Sequence, residues 1–227
     1  MRSILLFSKT ADYRHESIPA GVRGLTRIAA EIGFRASSTE DAAAFSDVGL
    51  AGFDAVVFLN TSGSVLAPEQ RGALQRFVRG GKGYVGIHCA SGTEYDWPWY
   101  GELVGAYFTA HPEVQSAELR VEDPEHPATR ALPRRFSWVD EWYGFSRNPR
   151  PDVRVLVSVD ENSYHAGDGT MGSDHPIVWC REYEGGRAFY TALGHAAESY
   201  EHPLFAAHLA GAIEWAAGLP AAVDGRS

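Results

Sequence analysis

Short, continuous apolar runs recur in the first half of the chain, at Ile4–Phe7, Ala55–Leu59 and Tyr84–Ile87. Each is brief and rich in branched or aromatic side chains, the pattern of a strand buried on both faces. Between the first two runs, Ile18, Val22, Leu25, Ile28 and Ile32 recur at helical spacing. Ser17 stands as the N-cap, Pro19 suits the first turn and Gly33 stops the helix. Pro68–Arg79 repeats the arrangement, with Leu74, Phe77 and Val78 apolar and Gly80-Gly81 behind them. Strand and helix thus alternate through about residue 105, which predicts an α/β fold with a parallel sheet covered by helices.

From about residue 113 the spacing shortens, and strands are expected at Val114–Val121, Val153–Val159, Ile177–Glu182 and Arg187–Leu193. They either extend the sheet or form an antiparallel edge. Phe205–Trp215 reads as a closing helix and 221–227 as a frayed tail. His126 and His202, each before a proline, read as helix entries. No repeat or linker interrupts the pattern, so a single domain over 1–220 is expected. Composition agrees with a globule: of 227 residues, 44% are hydrophobic and 22% charged, which excludes a disordered chain or a disulfide scaffold. A net charge of -9 repels phosphate backbones and anionic lipid, so neither nucleic acid nor membrane is an expected partner. The two cysteines, Cys89 and Cys180, lie far apart without metal-ligand spacing, as in a reducing compartment. The apolar N-terminal run is too short for a signal segment, and no stretch is long enough to span a bilayer. A cytoplasmic location is expected.

Two motifs carry no chemistry. Gly81–Gly86 has the letters of a dinucleotide fingerprint but enters a strand instead of leaving one, and Asn60-Thr61-Ser62 matches a glycosylation acceptor that a cytoplasmic chain would not use. Gly86-Ile87-His88-Cys89-Ala90 is different, because it lies where a buried strand runs out, and open α/β sheets bind ligands beyond the carboxyl ends of their strands. His88 is either a catalytic imidazole or a partner for backbone at a tight turn. Cys89 is either a thiolate nucleophile or a small core residue. His195 follows another strand, with Gly194 permitting a sharp exit, and His111 and His175 flank expected strands. In Asp140-Glu141-Trp142-Tyr143, a carboxyl beside aromatic rings can be tuned for proton transfer while its neighbour stays ionised. The alternative is an exposed turn. Trp97 and Trp99, among further acids and aromatics, suit either a sugar-stacking wall, the core or a subunit contact. His88, His111, His195 and an acid can supply metal ligands, but no tight ligand spacing occurs.

Tyr13-Arg14-His15-Glu16-Ser17, Gly86–Ala90, His111-Pro112, His126-Pro127, Asp140–Tyr143, His175-Pro176-Ile177 and Gly186–His195, taken in order, resemble the ThuA-like family, named for trehalose utilisation. The resemblance covers nearly the whole chain. It implies a three-layer α/β/α, flavodoxin-like fold of the class I glutamine amidotransferase type with a mostly parallel sheet. It also implies carbohydrate metabolism, with trehalose, sucrose or their keto derivatives as substrates. True amidotransferases present a cysteine at the strand-to-helix elbow, where this chain presents His88. His195, with Glu198 close by, resembles the position of their histidine and acid, at a spacing one residue longer.

The expectation is a pocket at the carboxyl edge of the sheet. His88, His195 and Glu141 would exchange protons with a sugar or keto-sugar, and His15, His111, Asp140, Trp97, Trp99, Trp142 and Tyr143 would bind it. No cofactor is expected, a divalent metal held by His and Glu being the alternative left open. A homodimer is a further option. A non-catalytic sugar-binding or regulatory module and a cysteine-dependent hydrolase are the competing functions.

Overall fold

A computed structural model of the chain describes residues 1–219. The three apolar runs form β1 (Arg2–Phe7), β3 (Ala55–Leu59) and β4 (Gly83–Ile87), each almost wholly buried. Between them lie α1 (Ile18–Glu31), β2 (Phe34–Thr39), α2 (Asp47–Leu50) and α3 (Pro68–Arg79). Then follow α4 (Pro98–Val104), β5 (Phe108–Ala110), β6 (Gln115–Val121), β7 (Arg135–Asp140), β8 (Gly144–Phe145), β9 (Arg154–Val159), β10 (Pro176–Tyr183), β11 (Gly186–Thr191) and α5 (Pro203–Ala216).

Nine strands make the main sheet, in the order β2-β1-β3-β4-β11-β10-β9-β6-β7. The first five are mutually parallel, in the 2-1-3-4-5 arrangement of flavodoxin-like folds. The other four continue it antiparallel, so the late strands do both things the pattern left open. α1 and α5 pack against each other on one face, and α2, α3 and α4 cover the other, giving three layers. One apolar cluster runs along both faces of the sheet. No helix among the described residues is long and apolar enough to cross a membrane.

Some local expectations change. Ser17 occupies the N-cap position of α1, but its hydroxyl accepts from the Asn60 side-chain amide at 3.1 Å instead of capping the helix. That ties the loop after β1 to the loop after β3. Gly33 ends the helix region at φ 78°. His126 opens only a series of turns, its Nδ1 accepting from the Ala128 N–H, whereas His202 does cap α5, accepting from the Leu204 N–H. Two unanticipated strands, β2 and β7, are the sheet's edges and carry the polar side chains that edges tolerate. The tail expected over 221–227 lies outside the described residues.

Candidate functional site

Because β10, β9, β6 and β7 alternate in direction, β7 ends up running the same way as β1, β3, β4 and β11. The carboxyl ends of all five therefore open on one edge, where α/β sheets bind ligands. Their exits deliver His15 after β1, Asn60 after β3, His88 after β4, Glu141 after β7 and His195 after β11.

His88 is the first residue beyond β4 and sits at φ 51°, left-handed and uncommon for a side chain larger than glycine. Neighbours hold it there. Its Nδ1 is 2.6 Å from the Ala192 carbonyl, and its own carbonyl accepts from the Tyr190 hydroxyl at 2.8 Å. The elbow thus presents an imidazole. Cys89 is buried behind it with its N–H toward Asn60, and burial pushes its thiol up to about 12. Gly194, at φ 119°, makes the sharp exit that turns His195 back over the edge.

These exits converge on Glu141. Its Oε2 lies 3.2 Å from His88 Nε2, 3.2 Å from His195 Nδ1 and 3.9 Å from His15 Nε2, while its Oε1 lies 3.6 Å from His111 Nε2. His15 Nε2 and His88 Nε2 are 3.1 Å apart, and the Tyr143 hydroxyl is 2.8 Å from His88 Nε2. His15 and His88 are buried. His195 (25% exposed) and His111 (37%) face outward, so substrate would meet them and Glu141 first. Burial pushes the Glu141 carboxyl up, but the imidazoles of His15, His195 and His88 together pull it well below the carboxylate range. Glu141 in turn raises His195, against burial. Burial lowers His15, which Glu141 offsets only in part. The ensemble has the equipment for proton transfer. One nitrogen from each of His15, His88 and His195 and one Glu141 oxygen all lie within 4.8 Å of one another, so these four can also hold a metal ion.

Asp140, next to Glu141, does a different job. It is fully buried and accepts from four donors: the N–H groups of Glu141 (3.0 Å), His195 (3.1 Å) and Gly194 (2.9 Å), and Trp138 Nε1 (3.2 Å). Burial pushes its carboxyl up while the backbone donors pull it back. With every lone-pair direction in use, Asp140 positions the exits of β7 and β11 and has nothing left for a ligand. His175 positions in the same way, bridging the Glu161 carboxylate and the Tyr143 carbonyl at 2.8 Å each.

The aromatic candidates separate. Tyr143 lies in the cluster, its ring 4.3 Å from that of His88. Trp142 is fully buried with its Nε1 on the Gln115 carbonyl. Trp97 and Trp99 stack on each other, with Arg71 over Trp97 and Trp99 Nε1 donating to Glu184 in the β10–β11 turn. That turn is at the opposite edge of the sheet, so these two rings do not wall the hollow. Glu198 makes no contact with His195 of the kind an amidotransferase pair would need; the acid beside His195 is Glu141.

Of three further participants, Trp138 has no reading from sequence, Asn60 is read there only as a glycosylation match, and Tyr13 enters only through the family resemblance. Asn60 sits at φ 49° and braces both Ser17 and the elbow; its place directly after a buried strand was the available signal. Tyr13, exposed, lays its ring 4.8 Å from that of His15. Trp138 helps line a groove of about 470 Å³ with Val139, Ser137, Ser199, Glu198 and His202. The groove also reaches Ala196, next to His195, and so adjoins the cluster. The alternation Phe136-Ser137-Trp138 marks a strand with one apolar face.

A family model described as trehalose utilisation, ThuA, matches residues 3–216. No curated protein sequence matches significantly. Among solved structures, a ThuA-like protein from Bacteroides uniformis is 25% identical, with a TM-score of 0.78 over 95% of this chain and 91% of that one. A ThuA-like protein from Parabacteroides merdae is 20% identical, with a TM-score of 0.78 over 96% and 90%. A cytoplasmic protein from Salmonella typhimurium shares the fold at 11% identity, with a TM-score of 0.65 over 95% and 99%.

Proposed function

Starting from the fact that the chain belongs to the ThuA, or trehalose utilisation, family, we propose that it is a cytoplasmic enzyme of carbohydrate metabolism whose active centre is the His/Glu cluster. The observation that carries this reading is one carboxylate, Glu141, ringed by His15, His88, His195 and His111 at a ligand-binding edge of the sheet. The chemistry this equipment suits is proton movement on a keto-sugar related to trehalose or sucrose. His111 takes a proton from the carbon next to the carbonyl, and His195, whose charged form Glu141 favours, protonates the carbonyl oxygen. Reversal onto a different carbon isomerises the sugar, and expulsion of a neighbouring oxygen substituent cleaves it. Positioned proton transfer of this kind contributes about 10²–10⁴-fold in rate. The Trp138 groove, with one aromatic face among hydroxyl and carboxylate groups, suits the apolar face and hydroxyls of a sugar ring.

Hydrolysis by a carboxylate pair is disfavoured because Asp140 is fully engaged, leaving Glu141 without a free carboxylate partner beside it. A cysteine mechanism is disfavoured by the burial of Cys89. The test is incubation with trehalose, sucrose and their keto derivatives in D2O, read by NMR for exchange beside the carbonyl and for products. Glu141→Gln is expected to slow exchange by about 100-fold or more. Calorimetric binding without exchange or product would instead make the chain a sugar-binding module.

A further inference from the structure

We infer that His15, His88, His195 and Glu141 form a binding site for one divalent transition-metal ion, with zinc the best match to three imidazoles and a carboxylate. This rests on reading the cluster as the active centre and narrows the roles within it. Zinc binds imidazole nitrogen at about 2.0–2.1 Å and carboxylate oxygen at about 2.0–2.2 Å, so a tetrahedral site has donor atoms about 3.4 Å apart. Of the six separations here, four are 3.1 Å (His15 to His88), 3.2 Å (His88 to Glu141), 3.2 Å (His195 to Glu141) and 3.9 Å (His15 to Glu141), and all six lie within 4.8 Å. The donors come from four separate strand exits, and no local turn accounts for their meeting.

The count of protons points the same way. The Ala192 carbonyl, 2.6 Å from His88 Nδ1, can only accept, so Nδ1 carries a proton and it is Nε2 that turns inward as the ligand nitrogen. Such a backbone acceptor is the usual outer partner of a metal-bound histidine. Three groups crowd that nitrogen: His15 Nε2, the Tyr143 hydroxyl and Glu141 Oε2. A proton on His88 Nε2 can point at only one of them, whereas a cation between the donors satisfies the imidazoles and the carboxylate together. One further atom supports this: His195 Nδ1 is buried and faces Glu141 Oε2 without a hydrogen bond.

The ion would sit on the Oε2 side of Glu141, because His15, His88 and His195 are all on that side. Only His111 faces Oε1. With the ion bound, His195 becomes a ligand, and of the two imidazoles flanking Glu141 it is His111 that exchanges protons with substrate. An ion held by these four donors would act as an electrophile for the sugar carbonyl only by taking it as a fifth ligand, an expansion zinc can make.

The test measures metal binding apart from turnover. Untagged protein, stripped with a chelator and dialysed, is titrated with Zn²⁺ and Co²⁺ by calorimetry and by the visible spectrum of the cobalt form. One equivalent is expected, with His195→Gln and His15→Ala each weakening it by about 100-fold or more, since loss of an outer partner alone costs about 10–100-fold. His111→Ala is expected to keep the affinity, and circular dichroism checks that each variant folds. No tight equivalent in wild type, or one that survives both ligand substitutions, overturns the inference. Metal-free protein that turns over a keto-sugar at full rate overturns it too, while leaving the proposed activity intact. Tight, cluster-dependent binding with no sugar turnover upholds the metal site and counts against that activity.

Discussion

Replacing Asp140 with asparagine changes one atom and tests whether this carboxylate organises the site. In the native structure Oδ1 accepts from the N–H groups of Glu141 and His195, and Oδ2 accepts from the Gly194 N–H and Trp138 Nε1, at 2.9–3.2 Å. Asparagine keeps one accepting oxygen and turns an NH₂ toward the other two donors. Two buried donors are then left unsatisfied, at about 1–3 kcal/mol each, so the expected loss is about 2–6 kcal/mol. For a chain of this size 1 kcal/mol shifts Tm by about 2–4 °C, giving a fall of roughly 4–24 °C. Urea denaturation reads the free energy, and thermal melting followed by circular dichroism reads Tm. Asp168→Asn, on an exposed turn, is the control and should stay within about 0.5 kcal/mol. If Asp140→Asn also lies within about 0.5 kcal/mol of wild type, the carboxylate is not the accepting hub described above. A protonated Asp140 would give that result, since its hydroxyl would already face a donor.

His126 and His208 are buried and lowered to about 4, chiefly by burial. Unfolding raises both toward 6.5, so their neutral forms favour the fold above 6.5, and that advantage is lost as pH falls through the interval down to about 4. At about 1.4 kcal/mol per unit the change is of order 3 kcal/mol for each. The difference in urea stability between wild type and His208→Gln should shrink by about that amount between pH 7 and pH 4, and a constant difference would refute the assignment. Cys89 and Cys180 are both buried with thiols pushed up to about 12. Iodoacetamide should therefore label both slowly near neutral pH, whereas rapid labelling confined to Cys89 would reinstate a thiolate nucleophile. Glu94, fully buried, pairs with Arg71 and accepts from the Val65 and Leu66 N–H groups. Glu94→Ala should cost about 3–5 kcal/mol in chemical denaturation, and a loss under 1 kcal/mol would show that the pair contributes little.

What could be read from sequence follows from where each residue's environment originates. β1, β3 and β4 declare themselves because a strand buried on both faces must be apolar throughout. β2 and β7, on the sheet edges, mix polar and apolar residues and carry no such signature. His88 was legible because it abuts such a buried run. His15 was not: seven residues separate it from the end of β1, and only the family resemblance singled out its segment. Asp140 and Glu141 are neighbours of similar chemistry with opposite fates. Asp140 is captured by N–H groups from the exit of β11, 54 residues on from it at Gly194, a contact that no local pattern encodes. Trp97 and Trp99 have the composition of a sugar wall, yet Arg71 and Glu184, from distant stretches, draw them into packing elsewhere.

The placement of β11 between β4 and β10 has a consequence for how the molecule comes into being. During synthesis the open flank of β4 must wait for a partner whose Ala192 lies 104 residues beyond His88, and closing so distant a pairing is slow. A chain still emerging from the ribosome can complete the pairs among β1, β2, β3 and β4, but it has neither the carbonyl that orients His88 nor the imidazole of His195. The proposed site is therefore withheld from every partly made form and assembles only when the last strand slots home.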